Sequence, residues 1–241
     1  MTTTITPSTH LERIYHLLTA TYGEPKLIPD NDALGGLIGT ILSQHTSDIN
    51  SERAYQQLIA TFPTWEEVRD APTFQVAEAI RSGGLANIKA LRLQDVLHTL
   101  TEQQHEAGQS GSLAAYLYNK LTSCSPEDAW HCLCRLPGVG PKTAACVLLF
   151  DLGLPVMPID THVWRVSRRL GLIGSKVGAD QAHEIFAKIT PPEWVYLLHV
   201  NLIRHGRQIC HAQHPECTQC TLYRECAYVG SVNPQETAIS T

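Results

Sequence analysis

The chain has 241 residues, of which 43% are hydrophobic and 17% charged, and its formal net charge at pH 7 is −5. These proportions are typical of a soluble globular protein with one large domain or two small ones, and the apolar runs fall short of the ~18 residues that a membrane span needs. Residues 1–9 lack the basic and apolar stretches of a secretory signal, so we expect a cytoplasmic protein whose eight cysteines are thiols or metal ligands.

The acidic net charge by itself argues against nucleic-acid binding, but the charge is unevenly distributed. Residues 131–210 contain nine Lys and Arg against five Asp and Glu, which is a net +4 and leaves −9 for the remainder. A local basic face on an acidic body can bind phosphates, although long-range electrostatic attraction to DNA would be weak.

Helical periodicity dominates the chain, and the alternation of period two that marks strands is scarce, so we predict an all-α fold. Asp32 is a typical N-cap, and the apolar residues that follow have the spacing of one helix face: Leu34, Leu37, Ile38, Ile41 and Leu42. The same spacing recurs further along the chain: Leu93, Val96, Leu97 and Leu100. Residues 1–9 and 231–241 are polar and are predicted to be flexible tails.

Residues 135–142 read Arg-Leu-Pro-Gly-Val-Gly-Pro-Lys and indicate a tight turn between two helices. The glycines permit positive φ and a close backbone approach, and Pro141 suits the first turn of a helix. With predicted helices at 129–135 and 142–152, the order is helix–hairpin–helix. Free amides at the start of such a helix favour phosphate binding, and an ordinary helix–helix turn is the alternative.

Lys142 stands at the start of that second helix, where a lysine in a cationic and partly desolvated place can act as a nucleophile. It could attack C1′ of a nucleotide, expel the base and form a Schiff base that permits β-elimination. Asp160 is a good N-cap for a helix through Leu170. The eleven helical residues 142–152 advance about 16 Å, and the six extended residues 154–159 span up to about 20 Å. The chain is therefore long enough to return alongside its own helix to the level of Lys142. Asp160 could then approach Lys142 and stabilise positive charge on the sugar.

Pro191 and Pro192 are predicted to start another helix, with Trp194, Leu198 and Leu202 on one face. Four cysteines follow within seventeen residues, in the spacing C-x6-C-x2-C-x5-C: Cys210, Cys217, Cys220 and Cys226. Four such thiolates can bind a tetrahedral zinc ion or a [4Fe–4S] cluster. The remaining cysteines lie in helical, largely apolar runs and are predicted to be buried free thiols: Cys124, Cys132, Cys134 and Cys146.

The combination of hairpin, lysine, aspartate and four spaced cysteines resembles the endonuclease III family of DNA glycosylases over residues 10–228. The resemblance implies two helical domains with a DNA-binding cleft between them. One would be a six-helix barrel of residues 28–154 that carries the hairpin. The other would join residues 10–27 to residues 155–230 and hold a structural [4Fe–4S] cluster on the four cysteines, which the resemblance favours over zinc.

The resemblance also implies residues that contact DNA. The stretch Leu-Ser-Gln-His-Thr-Ser-Asp at 42–48 resembles the loop that fills the gap left by an extruded base, and either Gln44 or His45 could insert. Leu85 would be the wedge of a second loop. A polar helix end and a core leucine are the plain alternatives. The amides of Gly138, Val139 and Gly140 would hold a phosphate, and a further DNA contact is predicted for Arg165.

The implied activity is that of a bifunctional DNA glycosylase and abasic-site (AP) lyase, with Lys142 as nucleophile and Asp160 as electrostatic partner. Its substrate would be duplex DNA with an oxidised or ring-saturated pyrimidine such as thymine glycol, or with an abasic site. We expect a monomer, associated with the nucleoid if the source is bacterial. The alternatives are a mismatch- or methylcytosine-type glycosylase and a non-catalytic DNA-binding iron–sulfur protein.

Overall fold

The structure is a computed structural model that describes residues 8–232. Every regular element in this range is helical and no strand is found there, which confirms the all-α prediction. The α-helices in chain order are α1 (Thr9–Tyr22), α2 (Ala33–Ser43), α3 (Asp48–Thr61), α4 (Trp65–Asp70), α5 (Thr73–Ala79), α6 (Ala86–Glu106), α7 (Leu113–Thr122), α8 (Pro126–Cys134), α9 (Pro141–Cys146), α10 (Thr161–Leu170), α11 (Ala179–Ile189), α12 (Val195–Gln208) and α13 (Ala227–Val232).

The predicted tail boundaries overlap the helices at both ends: Thr9 is the first residue of α1, and Val232 is the last residue of α13. The remainder of both tails lies outside the described residues. Within 8–232, no helix combines the length and the apolar character that crossing a membrane requires.

The chain divides into two compact units, one of which is Ile28–Leu154 and the other residues 8–27 with 155–232. In the unit Ile28–Leu154, α2 is the central helix and packs on α3, α7 and α9. The apolar side chains predicted for the buried faces of α2 and α6 are all buried, so both helix predictions are confirmed. The carboxylate of Asp32 caps α2 by accepting the Gly35 N–H at 2.9 Å.

In the other unit, α12 packs on α10 and α1. Leu198 and Leu202 are buried in α12, as predicted. The two prolines start a short 3-10 turn, Pro192–Trp194, and the α-helix begins only after it. Trp194 stacks on Tyr15 of α1 with ring centroids 4.2 Å apart. This stack fixes the start of α12 against the N-terminal helix.

The predicted helix 142–152 is α-helical only as far as Cys146 and widens into a π-helical segment at Val147–Asp151. The segment ends on Asp151, whose pKa is raised to about 7 by burial and by the nearby carboxylates of Asp30 and Asp32. A π-helical segment often marks a site of function or of strain. In this protein it carries a carboxyl group that is hard to ionise.

Candidate functional site

The hairpin joins α8 to α9 through a turn that backbone hydrogen bonds close. The Leu136 N–H donates to Leu133 O at 3.0 Å, and the Val139 N–H donates to Leu136 O at 3.1 Å. Gly138 has φ +71°, and a Cβ at this position would collide with the side chain of Arg92. Glycine is therefore required at 138 both by backbone conformation and by packing.

Not all of the predicted phosphate donors are free. Because the Val139 N–H closes the turn, it is not available to a ligand, contrary to the sequence-based expectation. The N–H groups of Gly138 and Gly140 have no hydrogen-bond partner among residues 8–232. A Cβ at Gly140 would meet nothing within 4 Å. Packing does not require this glycine, and the space beside it is open to a ligand.

Lys142 lies in the first turn of α9, directly after Pro141, and its side chain is exposed rather than partly desolvated as predicted. Gly140 is the N-cap of this helix, and its carbonyl accepts the Ala144 N–H at 3.0 Å. Thr143, the next residue, is 6% exposed. The lysine amine is therefore accessible while the turn that carries it is held in place.

Asp160 is the N-cap of α10, as its sequence context predicted. Its Oδ1 accepts the Val163 N–H at 2.7 Å. Its Oδ2 has no partner in the part of the chain that the structure describes, and the residue is half-buried. Capping thus occupies one carboxylate oxygen, and no internal bond within residues 8–232 occupies the other. The approach of Asp160 to Lys142 stays a prediction.

Gln44 and His45 differ sharply in environment. The Gln44 Oε1 accepts from Arg92 Nη1 at 2.6 Å, and its Nε2 donates to Thr143 Oγ1 at 3.3 Å. His45 is exposed, and its backbone adopts φ +55°, which is uncommon for a residue with a side chain. Gln44 is therefore tied into the protein by both ends of its amide, and His45 is the free side chain of the loop.

Leu85 also has a left-handed backbone, at φ +49°, and is 54% exposed. The interpretation of Leu85 as a core residue is therefore wrong. Its loop is anchored by Lys89, a lysine that is only 2% exposed. The Lys89 Nζ donates to Leu42 O at 2.6 Å and to Gly83 O at 2.8 Å. Burial and the charge of Arg92 lower the pKa of Lys89.

Arg165 is engaged within its own unit. Its guanidinium donates to Cys210 O at 3.1 Å and to Gly206 O at 2.8 Å, and it contacts His162 Nδ1 at 3.1 Å. These bonds join α10 to the end of α12. Because most of its donors are used internally, the structure gives no support to the predicted DNA contact by Arg165.

The four spaced cysteines lie together, lining one cavity of about 20 Å³ whose other walls are largely apolar. All four are half-buried. Burial raises the pKa of Cys220 to about 11 and also raises the pKa of Cys226. Among the described residues, no three Cys, His, Asp or Glu side chains are grouped so as to hold a single metal ion.

Polar groups contact three of these sulfur atoms, and the Cys226 thiol donates to Arg169 O at 3.3 Å. Arg169 Nη1 lies 3.2 Å from Cys210 Sγ, and His205 Nε2 lies 3.5 Å from Cys220 Sγ. The other ring nitrogen of His205 pairs with the Tyr22 hydroxyl at 3.0 Å. The Arg169 guanidinium stabilises negative charge on the Cys210 sulfur and so opposes the burial that raises the pKa of Cys220 and Cys226. The donor set therefore fits a cluster held by four thiolates.

The remaining cysteines only partly follow the sequence-based prediction of buried thiols. Cys146 is buried, Cys132 and Cys134 are half-buried, and Cys124 is exposed. Cys124 lies between α7 and α8, where the chain bends and no helix covers it. Its direct neighbours Ser123 and Ser125 are polar, and the prediction of a buried thiol at Cys124 was wrong.

Sequence reasoning did not identify Lys89, Arg92, Arg169 or His205 as site residues. Each acts through a partner distant in sequence, such as Gln44 for Arg92. Only Lys89 and Arg92 had a local indication of a site role in the sequence, because both cationic residues flank the predicted buried face of α6. Lysine at a mostly buried position is rare unless its charge is paired or hydrogen-bonded.

Comparison with known proteins places the chain in a family. The model of the HhH-GPD superfamily base excision DNA repair protein matches residues 38–192. The endonuclease III of Rickettsia conorii is 32% identical over 220 residues, which cover 90% of this chain and 95% of that protein. A longer relative from Arabidopsis thaliana is 35% identical over 181 residues, and the match spans 58% of its length.

Among solved structures, a non-covalent endonuclease III–DNA complex matches with a TM-score of 0.72 and 26% identity. The match covers 94% of this chain and 99% of that one. The resemblance noted in the sequence is thereby confirmed. The chain belongs to the HhH-GPD superfamily of base excision DNA repair proteins, as an endonuclease III-like DNA glycosylase.

Proposed function

We propose that this protein is a bifunctional DNA glycosylase and AP lyase that acts on oxidised or ring-saturated pyrimidines, such as thymine glycol, in duplex DNA. The observation that carries the proposal is Lys142, an exposed amine on the first turn after the hairpin. A base inside the duplex cannot be reached by this amine, so the damaged nucleotide must be flipped out of the stack.

In the proposed reaction the amine of Lys142 attacks C1′ as the bond from C1′ to the base breaks, and the base leaves with a proton. The sugar ring opens to give an imine between C1′ and the lysine nitrogen. Loss of a proton from C2′ then expels the 3′ phosphate and breaks the strand. The unoccupied carboxylate oxygen of Asp160 would stabilise the positive charge that develops on the sugar.

The amides of Gly138 and Gly140 would hold a backbone phosphate close to this centre. Their freedom from internal hydrogen bonds and the open space at Gly140 support this role. His45 and Leu85, which are both exposed on strained backbone, would enter the stack beside the flipped nucleotide.

The four cysteines would hold a [4Fe–4S] cluster. When bound, the cluster would cross-link the segment after α12 and so keep it folded. Arg204 donates to Tyr22 O at 2.8 Å, so the basic surface of this segment consists of the exposed Arg207 and Arg224. We place the reaction on chromosomal DNA in the cytoplasm and expect the protein to act as a monomer.

Borohydride trapping tests the proposal directly. The protein is incubated with a duplex containing one thymine glycol, and borohydride is added to reduce any imine to a stable adduct. We expect a covalent adduct that is absent with Lys142→Gln and scarce with Asp160→Asn. Base release without an adduct would indicate a monofunctional glycosylase. A protein that neither releases a base nor reacts with an abasic-site duplex would refute the proposed activity.

A further inference from the structure

Two cationic side chains on α6 connect the loops described above. Lys89 holds the carbonyls of Leu42 and Gly83, from which the loops bearing His45 and Leu85 depart. Arg92, almost one turn further along α6, is directed at the hairpin instead.

A chain of hydrogen bonds leads from Arg92 to the turn that carries the nucleophile. Its Nη1 donates to Gln44 Oε1 at 2.6 Å, and Gln44 Nε2 donates to Thr143 Oγ1 at 3.3 Å. Thr143 is 6% exposed and follows Lys142 directly. A bond from a charged donor is stronger than one between neutral groups, so Arg92 determines how the Gln44 amide is oriented.

Arg92 also touches the hairpin itself. A Cβ at Gly138 would collide with its Nε and Cδ, so the side chain lies directly against the turn. The guanidinium is therefore fixed between the Gln44 amide on one side and the hairpin backbone on the other. A displacement of Arg92 would therefore move the hairpin that precedes Lys142 and, through Gln44, the residue Thr143 that follows it.

We propose that Arg92 is a positioning residue of the active site, which fixes the first turn of α9, and with it Lys142, through Gln44 and Thr143. The inference rests on the proposed function. It also separates the roles of Gln44 and His45, because an amide held at both ends cannot leave its place to enter DNA. His45 is then the residue of this loop that contacts the substrate.

A guanidinium beside free amides could instead bind a DNA phosphate directly. The two roles differ in what they change. A phosphate contact contributes to affinity and makes binding more salt-dependent, by about one unit in the slope of log K against log salt. A positioning residue contributes to the rate within the bound complex, since misplacing a reactive group by about 1 Å can slow a reaction roughly 10²-fold.

The experiment measures the single-turnover rate of imine trapping on an abasic-site duplex with enzyme in excess, together with the Kd and its salt slope. Arg92→Met removes the donor, and Thr143→Val keeps the Arg92 bond to Gln44 but removes the acceptor for Gln44 Nε2. Gln44→Ala removes both, and the double variant Arg92→Met/Gln44→Ala measures coupling. Arg53→Met is the charge control, since Arg53 is exposed on α3 of the same unit.

We expect Arg92→Met, Thr143→Val and Gln44→Ala each to lower the trapping rate about tenfold or more, with Kd changed less than about threefold. The double variant should be no slower than the slower single variant, and Arg53→Met should leave the trapping rate unchanged. Thermal unfolding checks that each variant is folded, and should Arg92→Met not fold, the Thr143→Val result decides.

An unchanged rate in Arg92→Met or Thr143→Val, or rate losses that multiply in the double variant, would overturn the inference. A weaker Kd with a shallower salt slope and a normal rate would assign Arg92 to a phosphate. If the wild-type protein gives no adduct on the abasic duplex, the proposed function fails and the positioning role falls with it. That outcome is distinct, because the other failures require a reactive wild type.

Discussion

The carboxylate of Asp160 caps α10 through Oδ1. Its Oδ2 is proposed to stabilise charge on the substrate, and substitution can separate these two uses. Asn caps helices as well as Asp does, whereas Ala costs about 1 kcal/mol at an N-cap. We therefore expect Asp160→Asn to unfold at the same urea concentration as the wild type and Asp160→Ala to be less stable by about that amount. Both should slow the trapping rate roughly 10²-fold, because both lose the charge.

Equal activity in Asp160→Asn and the wild type would leave Asp160 with a capping role alone. Chemical denaturation and single-turnover trapping, carried out on the same preparations, make the two measurements.

The two hairpin glycines should respond differently to alanine. Gly138 has positive φ and Arg92 against it, so Gly138→Ala should destabilise the protein by about 1–3 kcal/mol. Gly140 has φ −92° and open space, so Gly140→Ala should change stability by less than about 0.5 kcal/mol. Because the new methyl group stands where a phosphate would approach, Gly140→Ala should still weaken DNA binding roughly tenfold.

Calorimetry and fluorescence anisotropy with a duplex containing an abasic-site analogue check this pair. Unimpaired DNA binding by Gly140→Ala would remove the phosphate from this turn.

Residue-level prediction from sequence succeeded where the signal is local. Asp32 and Asp160 were identified as caps because a cap bonds to a backbone group three residues on. The bond from Arg92 to Gln44 joins residues 48 apart, and no spacing rule connects them. For the same reason Arg165 was assigned to DNA, although its partners are carbonyls more than 40 residues away.

At the level of elements, the π-helical segment should make stability depend on pH. Asp151 binds its proton more tightly in the folded protein, where its pKa is about 7, than in the unfolded chain, where a carboxyl has its ordinary pKa near 4. The stability from this proton is complete below pH ~4 and is lost as the pH rises through 7. Asp151→Asn should therefore match the wild type at pH 4 and exceed it by about 2 kcal/mol at pH 8.

Urea unfolding at several pH values measures this difference. Asp95→Asn, at an exposed position on α6, is the control. A gain in Asp151→Asn that is the same at pH 4 and pH 8 would show that Asp151 does not titrate as described.

The segment between α12 and α13 has only short 3-10 turns, and the proposed cluster would hold it through the four cysteines. We expect Cys217→Ala to lose bound iron and to lower the free energy of unfolding by several kcal/mol, on the order of 3, because cluster binding contributes to folding. Mass spectrometry of iron and zinc in the wild type and the variant, together with chemical denaturation, makes the test. Cys124→Ala, at an exposed cysteine outside the cavity, should change neither. One zinc and no iron in the wild type would contradict the proposed cluster.

Helices with an apolar face, such as α2 and α6, were predictable because their periodicity is the direct consequence of burial on one side. The widening at Val147–Asp151 was not, since its residues are equally compatible with an α-helix. The late start of α12 has a similar cause. Two prolines favour a helical start but do not decide between a 3-10 turn and an α-helix.

For the whole molecule, the net charge of −5 predicts that DNA binding depends only modestly on salt. About three or four neutralised phosphates would give a slope of log K against log salt near −3. Anisotropy titrations between 50 and 200 mM salt, roughly the range over which such slopes are usually read, supply the measurement. A slope of about −6 or steeper would mean that the local excess of Lys and Arg acts as though the acidic remainder were absent.

The single buried ammonium group of Lys89 holds the carbonyls from which both exposed loops depart. The side chains of His45 and Leu85 are exposed, and the backbone near them is held by the Lys89 hydrogen bonds. Substitutions at these two positions therefore remove few internal contacts. Residues 45 and 85 can therefore change during evolution at little cost in stability. If the proposed roles hold, the chemistry at Lys142 would stay constant while selection changes the two side chains proposed to enter the DNA, and lesion preference would diverge among relatives without a change in fold.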